Sequence, residues 1–125
     1  MTSHFGAFGK IPALGDFFRI GLPPAFTEPW DAWVQAGLLA AREAFGADWD
    51  GHYNSAPIWR FSLAANLAGA KPVQGVIMCS VDRVGRQFPL TLAAQCAEDV
   101  TPAEAHFAGA DIFAALEAIA LDALE

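Results

Sequence analysis

The sequence predicts an α+β fold in which a central, mostly antiparallel sheet is flanked by helices in the order β-α-β-β-β-α. Three short apolar segments follow one another between residues 58 and 95, and a long amphipathic segment lies on either side of them. Consecutive strands with short links favour an antiparallel meander. Of the 125 residues, 54% are hydrophobic and 17% are charged, which excludes a disordered chain and predicts one domain over residues 1–125.

The first half of the chain is expected to supply one strand and one long helix. Residues 4–11 are glycine-rich and predict a strand that is followed by a loop. Thr27 is the expected N-cap of the helix, and Gly46 is its expected stop. Residues 47–57 predict a short irregular or helical turn. The apolar face of the long helix is predicted from residues at helical spacing: Trp30, Trp33, Val34, Gly37, Leu38, Ala41 and Phe45.

The middle of the chain contains three strand candidates, at residues 58–64, 74–81 and 88–95. The first alternates in part, which places Trp59, Phe61 and Leu63 on one face. The second is apolar almost throughout, which is typical of a strand covered on both sides. The link between the last two segments, at residues 82–86, has hairpin length.

The last part of the chain predicts a helix and carries all of the net charge. Residues 101–104 (Thr-Pro-Ala-Glu) form a capping box with proline at the first helical position. Residues 1–97 hold seven bases and seven acids, and residues 98–125 hold seven acids and no base, for a net charge of −7. Because the chain has no basic stripe, neither nucleic acid nor an anionic membrane is an expected partner. The apolar face of this helix is predicted from four residues: Phe113, Leu116, Ala120 and Leu124.

Several classes of site and location are not expected. The N-terminal residues do not resemble a secretion signal, and no apolar run is long enough to cross a membrane. Cys79 and Cys96 stand apart in apolar runs, as structural thiols of a reducing compartment do, so we expect a cytoplasmic protein. The three histidines lack metal-ligand spacing, and Gly9-Lys10 lacks the remainder of a P-loop. We therefore expect no metal and no cofactor.

Two interpretations of the polar residues stay open from composition alone. Most of the bases lie in clusters near strand ends, namely Lys10 with Asp16 and Arg19, and Asp82 with Arg83 and Arg86, while Arg60 stands by itself. Such groups either satisfy loop carbonyls and carboxylates or form the arginine-containing hot spots of a protein interface. A small hydrolase that uses Ser80, Asp82 and His52 is an alternative, although no nucleophile elbow surrounds the serine.

Several sequence blocks, in order from residue 6 to about residue 92, resemble the TagF family, also called ImpM, of type VI secretion-associated proteins. The first is Gly6-x-Phe8-Gly9-Lys10-x-Pro12-x-x-Gly15-Asp16-Phe17. Trp30-Asp31-x-Trp33 with Gln35, then Trp49, Tyr53 and Ala56-Pro57-x-Trp59-Arg60-Phe61, follow it. The longest block is Gly75-Val76-x-Met78-x-Ser80-Val81-Asp82-Arg83-Val84-Gly85-Arg86-x-Phe88-Pro89-Leu90.

The resemblance implies a non-enzymatic, cytoplasmic regulator with a profilin-like or longin-like fold. Such a protein is expected to repress assembly of the type VI secretion system by binding its forkhead-associated scaffold, outside or alongside the Thr kinase and phosphatase pathway. A structural component of the apparatus is the other alternative. The expected partner-binding residues come from the two loops that carry the strongest blocks: Lys10, Pro12, Gly15, Asp16, Phe17, Ser80, Asp82, Arg83, Gly85 and Arg86.

Overall fold

A computed structural model describes residues 5–96 and 110–124, which form a five-stranded antiparallel sheet with a helix against each face. The predicted fold class is confirmed. The strands are β1 (Gly6–Gly9), β2 (Phe18–Ile20), β3 (Trp59–Leu63), β4 (Val73–Met78) and β5 (Leu90–Gln95). The helices are α1 (Pro24–Phe45), α2 (Trp49–Ser55) and α3 (Ala110–Asp122), and a 3-10 turn, Gly46–Asp48, joins the first two.

The strands lie in the order β2-β1-β5-β4-β3, and every neighbouring pair is antiparallel. The last three strands of the chain form the predicted meander, and β1 adds to its β5 side. The predicted second strand of the meander ends earlier than expected, at Met78. Beyond it the two segments of the link approach again at an isolated bridge between Val81 and Gln87.

Two further details differ from the sequence predictions. Strand β2 was not predicted because it has only three residues and no apolar alternation. Helix α1 begins at Pro24, so the predicted N-cap, Thr27, is wrong: the N–H groups of Phe26 and Thr27 donate to the carbonyl of Pro23, and Thr27 is buried in the first turns. Proline is tolerated at the first helical position because that N–H would have no helical partner. Residues 47–57 were predicted to form either an irregular or a helical turn, and the structure shows the helical one, α2.

The predicted stop of α1 at Gly46 is confirmed, with a positive φ of 54° at that glycine. The predicted capping box at residues 101–104 lies outside the described residues. Within α3, Phe113, Leu116 and Ala120 are buried as predicted, whereas Leu124 beyond its end is 39% exposed.

Two apolar clusters hold the layers together, one on each face of the sheet. Alternate residues of β4 enter different clusters: Val73 packs on the α1 side and Val76 on the α3 side. This confirms the prediction of a strand covered on both sides. The α1 cluster contains Leu22, Phe26, Trp30, Val34, Ala68, Val73, Phe88 and Ala93. The α3 cluster contains Val76, Met78, Leu90, Leu92, Phe113, Leu116 and Ala120.

Candidate functional site

The link between β4 and β5 is a compact turn built around Asp82. The main-chain N–H of Asp82 donates to the carbonyl of Arg86 at 3.0 Å, and Gly85 N–H donates to the carbonyl of Asp82 at 3.0 Å. The carboxylate then accepts the N–H groups of Val84 at 3.1 Å and Arg86 at 2.9 Å through Oδ1. Gly85 has a φ of +88°, a conformation that favours glycine. The Asp82 side chain therefore stabilises the turn by accepting main-chain N–H groups of that same turn.

The same carboxylate ties this turn to the loop after β1. Lys10 Nζ lies 3.1 Å from Asp82 Oδ2, and Arg86 Nε lies 2.7 Å from the same oxygen. Arg86 Nη2 also donates to the carbonyl of Gly15 at 2.7 Å, and Arg83 N–H donates to the carbonyl of Leu14 at 2.8 Å. These contacts join residues 10–15 and 82–86 into one unit, which we call the Asp82 junction.

The junction holds a buried charge that two cations neutralise. The side chain of Asp82 is fully buried, that of Lys10 is 8% exposed and that of Arg86 is 62% exposed. Burial alone would raise the pKa of the Asp82 carboxyl, but the N–H groups of Arg86 and Val84 and the ammonium of Lys10 donate to it and lower its pKa to about 2. The carboxylate consequently stays ionised at physiological pH, and its bonds hold both loops.

Outside the junction lies a mixed apolar and basic surface. Val84 is 71% exposed, and Phe17 and Leu14 are 46% and 41% exposed. Arg83 and Arg86 are exposed beside them. We call these five residues the junction surface. Two contacts on the protein side fix the position of the Phe17 ring: Lys10 Nζ lies 4.6 Å from its centroid, and the centroid of the Phe88 ring lies 4.8 Å away.

The structure thus brings both predicted loops together, but it divides their residues between interior and surface. The buried members are Lys10, Ser80 and Asp82, and Pro12 and Gly15 are half-buried. The exposed members are Asp16, Phe17, Arg83, Gly85 and Arg86. The other two basic candidates lie elsewhere. Arg19 donates to Thr27 Oγ1 at 3.4 Å, and Arg60 pairs with Glu117 of α3 at 2.8 Å.

Gly15 is the closest approach between the loop and the turn. A Cβ atom at this position would lie 2.8 Å from Nη2 of Arg83. The absence of a side chain therefore lets the Arg83 guanidinium lie over the loop. An alanine would displace the end of a flexible side chain and would leave the backbone of both loops unobstructed.

The residues of the hydrolase alternative are engaged in separate contacts. Ser80 is buried, and its hydroxyl donates to the carbonyl of Val81 at 3.5 Å. His52 is exposed on α2, where its ring packs at 4.4 Å from that of Phe45. Asp82 is committed to the junction.

Over residues 5–96 and 110–124, no cluster of three or more His, Cys, Asp or Glu residues could hold a metal ion. No helix in these described ranges is long and apolar enough to span a membrane.

Helix α2 supports the turn through residues that the chemical interpretation of the sequence did not assign. The Tyr53 hydroxyl donates to the carbonyl of Ser80 at 2.5 Å and accepts the N–H of Ser80 at 2.9 Å. The Trp49 indole N–H donates to Gln87 Oε1 at 2.7 Å, and the Gln87 amide donates to Asp50 at 3.0 Å. Trp49 and Tyr53 stand four residues apart, so one helical face carries both, and this spacing is the signal in the sequence that they contact the same neighbour.

Comparison with known proteins tests the family resemblance that the sequence blocks indicated. A sequence family described as "TagF N-terminal domain, Type VI secretion system-associated" matches residues 6–125. The chain belongs to this family. It is therefore a type VI secretion system-associated TagF N-terminal domain, and the resemblance found in the sequence is confirmed.

The domain is also similar to a solved structure, the crystal structure of PA0076 from Pseudomonas aeruginosa PAO1. The two are 41% identical with a TM-score of 0.91 over 98% of this chain. The match covers 56% of the PA0076 chain, so this domain spans little more than half the length of that protein. No match was found among curated proteins.

Proposed function

We propose that this TagF domain is a non-enzymatic, cytoplasmic regulator that represses assembly of the type VI secretion system by binding the forkhead-associated scaffold. The family supplies the association with the secretion system. The observation that carries the rest is the Asp82 junction, which holds two separate loops together so that their exposed residues form one surface.

The composition of the junction surface favours a protein partner. Its two arginines and Phe17 belong to residue types that are enriched at protein interfaces, and Leu14 and Val84 add exposed apolar area beside them. Within the described residues, Arg86 donates from Nε and Nη2, and its guanidinium has further N–H groups to offer a partner carboxylate or phosphate. An acidic or phosphorylated segment with an adjacent apolar side chain fits this surface.

The buried ion pair gives that surface a fixed shape before binding. A loop that is ordered in advance loses less conformational entropy when a partner binds, which strengthens the complex. Repression then requires only that the domain bind one state of the scaffold better than the other, because differential affinity shifts the population towards that state.

The test is calorimetric titration of the domain with the purified forkhead-associated scaffold of the same organism, with and without its phosphothreonine. We expect binding that does not depend on phosphorylation, as for a repressor that acts outside the kinase pathway. Arg83→Glu reverses an exposed charge without touching Asp82 and should weaken binding at least about tenfold. Gly15→Ala should weaken it less, by displacing the Arg83 guanidinium.

Lys71→Glu is the matched control, because it makes the same charge reversal at an exposed residue just before β4, outside the junction. It should leave binding unchanged. If the scaffold does not bind in either phosphorylation state, the proposed function is wrong. If the scaffold binds but Arg83→Glu and Lys71→Glu have equal effects, the junction surface is the wrong location.

A further inference from the structure

A second exposed surface lies along β3, on the side of the sheet that α1 covers. Trp33 of α1 is 65% exposed and Trp59 of β3 is 62% exposed, and both line the same apolar groove of about 210 Å³. Trp33 also borders a second groove of about 350 Å³, which is lined by Phe61 and by Leu67, itself 66% exposed. Large apolar side chains exposed in a contiguous patch mark an interaction surface.

Among residues 5–96 and 110–124, the same strand is an edge of the sheet without the usual protection. The opposite edge, β2, has only three residues, which is one way in which proteins limit edge pairing. Strand β3 has five residues and no proline or lysine. Its charged residue, Arg60, points to the other face, where it makes a bidentate pair with Glu117 at 2.9 and 2.8 Å. No charge of β3 therefore guards its apolar face.

We propose that β3 is the site at which a second copy of this chain binds, with the two β3 strands paired antiparallel across a two-fold axis. A strand that adds to this edge must place apolar residues towards Trp33 and polar residues towards the α3 face. Strand β3 has this pattern itself, with Trp59, Phe61 and Leu63 on one face and Arg60 and Ser62 on the other. The strand is therefore complementary to its own copy.

Antiparallel pairing centred on Phe61 gives a specific register. Trp59 then lies opposite Leu63 of the second copy on the apolar face, and Arg60 lies opposite Ser62 on the polar face. No like charges meet across the strands, which matters because a net charge of −7 otherwise opposes association of two copies. The result is a ten-stranded sheet whose two remaining edges are the short β2 strands.

The shape and area of the surface also fit a two-fold interface. Trp33 lines both grooves and separates them. In a two-fold interface, Trp33 of each copy can therefore pack into a groove of the other copy. The exposed two-thirds of Trp33 and Trp59 together supply about 300 Å² of apolar area per copy. This is over a third of the roughly 800 Å² per partner that a stable interface buries, before the strand backbone and Leu67 are included.

The experiment is sedimentation equilibrium of the 125-residue chain from about 1 to about 100 µM, with hydrogen exchange measured at both ends of that range. We expect a dimer at high concentration and slower exchange of β3 amides, but not of β2 amides, in the dimer. Trp59→Lys should leave a folded monomer, with the dissociation constant raised at least about 100-fold because the change occurs twice in a symmetric interface. Ile20→Lys is the matched control, since Ile20 is 66% exposed on the opposite edge strand, and it should still dimerise.

Trp33→Lys provides a second variant on α1 in case Trp59→Lys does not fold, and it too should be monomeric. A wild-type chain that stays monomeric at about 100 µM would overturn the proposal and leave the edge for a strand of another protein. A dimer that survives Trp59→Lys or Trp33→Lys, or that Ile20→Lys dissociates, would also overturn it. These outcomes are independent of scaffold binding at the junction surface.

Discussion

The Tyr53 hydroxyl makes two of the hydrogen bonds between α2 and the β4–β5 link, and Tyr53→Phe removes that group alone. The ring of Tyr53 is buried, and its hydroxyl donates to the carbonyl of Ser80 and accepts the Ser80 N–H. Phenylalanine keeps the ring packing against Trp49, whose ring lies 5.4 Å away. The change in the free energy of unfolding therefore measures the two hydrogen bonds.

The magnitude follows from what each Ser80 group retains. The carbonyl keeps a second donor, Phe88 N–H at 3.2 Å, so it loses only the net value of one hydrogen bond, about 1 kcal/mol. The N–H loses its partner inside the protein, which costs about 1–3 kcal/mol. We expect Tyr53→Phe to lower the free energy of unfolding by about 2–4 kcal/mol, and the melting temperature by roughly 6–15 °C for a domain of this size.

Urea unfolding followed by tryptophan fluorescence measures this change, with the slope on denaturant expected to stay constant. Ser55→Ala is the control, because it deletes a hydroxyl from the same helix that is exposed and bonds the carbonyl of Gly51 at 2.7 Å. It should change stability by less than about 0.5 kcal/mol. If Tyr53→Phe has an equally small effect, the Tyr53 hydroxyl does not support the turn and the reasoning is refuted.

Two further predictions concern the carboxylate of the junction and the centre of the sheet. The folded pKa of Asp82 is about 2, below the ordinary 3.8, so the stability that its ionisation contributes is complete above about pH 5 and is lost as the pH falls towards 2. Asp82→Asn should have a lower melting temperature than the wild type at pH 7. In thermal melts across this pH range, its melting temperature should also fall less steeply with acid than that of the wild type. Gly75→Ala should destabilise the domain by about 3 kcal/mol or more, because its Cβ would meet the backbone oxygen of Leu92. Gly37→Ala is the control: no atom lies near its Cβ, so it should be neutral or stabilising by up to about 1 kcal/mol. Equal urea midpoints for the two alanine variants, or an unchanged acid profile for Asp82→Asn, would contradict these predictions.

Much of the fold could be predicted because the residues that bury the core repeat with the period of their element. The near-continuous apolar run of β4 indicated a strand between two layers, and Trp59, Phe61 and Leu63 indicated one face of β3. Strand β2 could not be predicted, because three residues carry no period and its pairing partner, β1, is supplied by tertiary structure. The start of α1 was misplaced because threonine is a common N-cap, while here the carbonyl of Pro23 accepts the first N–H groups.

The candidate site shows the same division. The sequence by itself determined the family, the two polar loops and the residue types that they contain. Only the tertiary structure decided which of them are buried, because an aspartate that binds Lys10 and Arg86 and an aspartate that meets a partner have the same sequence signature. The choice depends on β1 lying beside β5, which brings Lys10 to Asp82 across 72 residues of chain. Tertiary packing also leaves Trp33 of α1 and Trp59 of β3 exposed beside the sheet edge. Their spacing in the sequence is that of ordinary core residues, so the sequence did not predict this exposure.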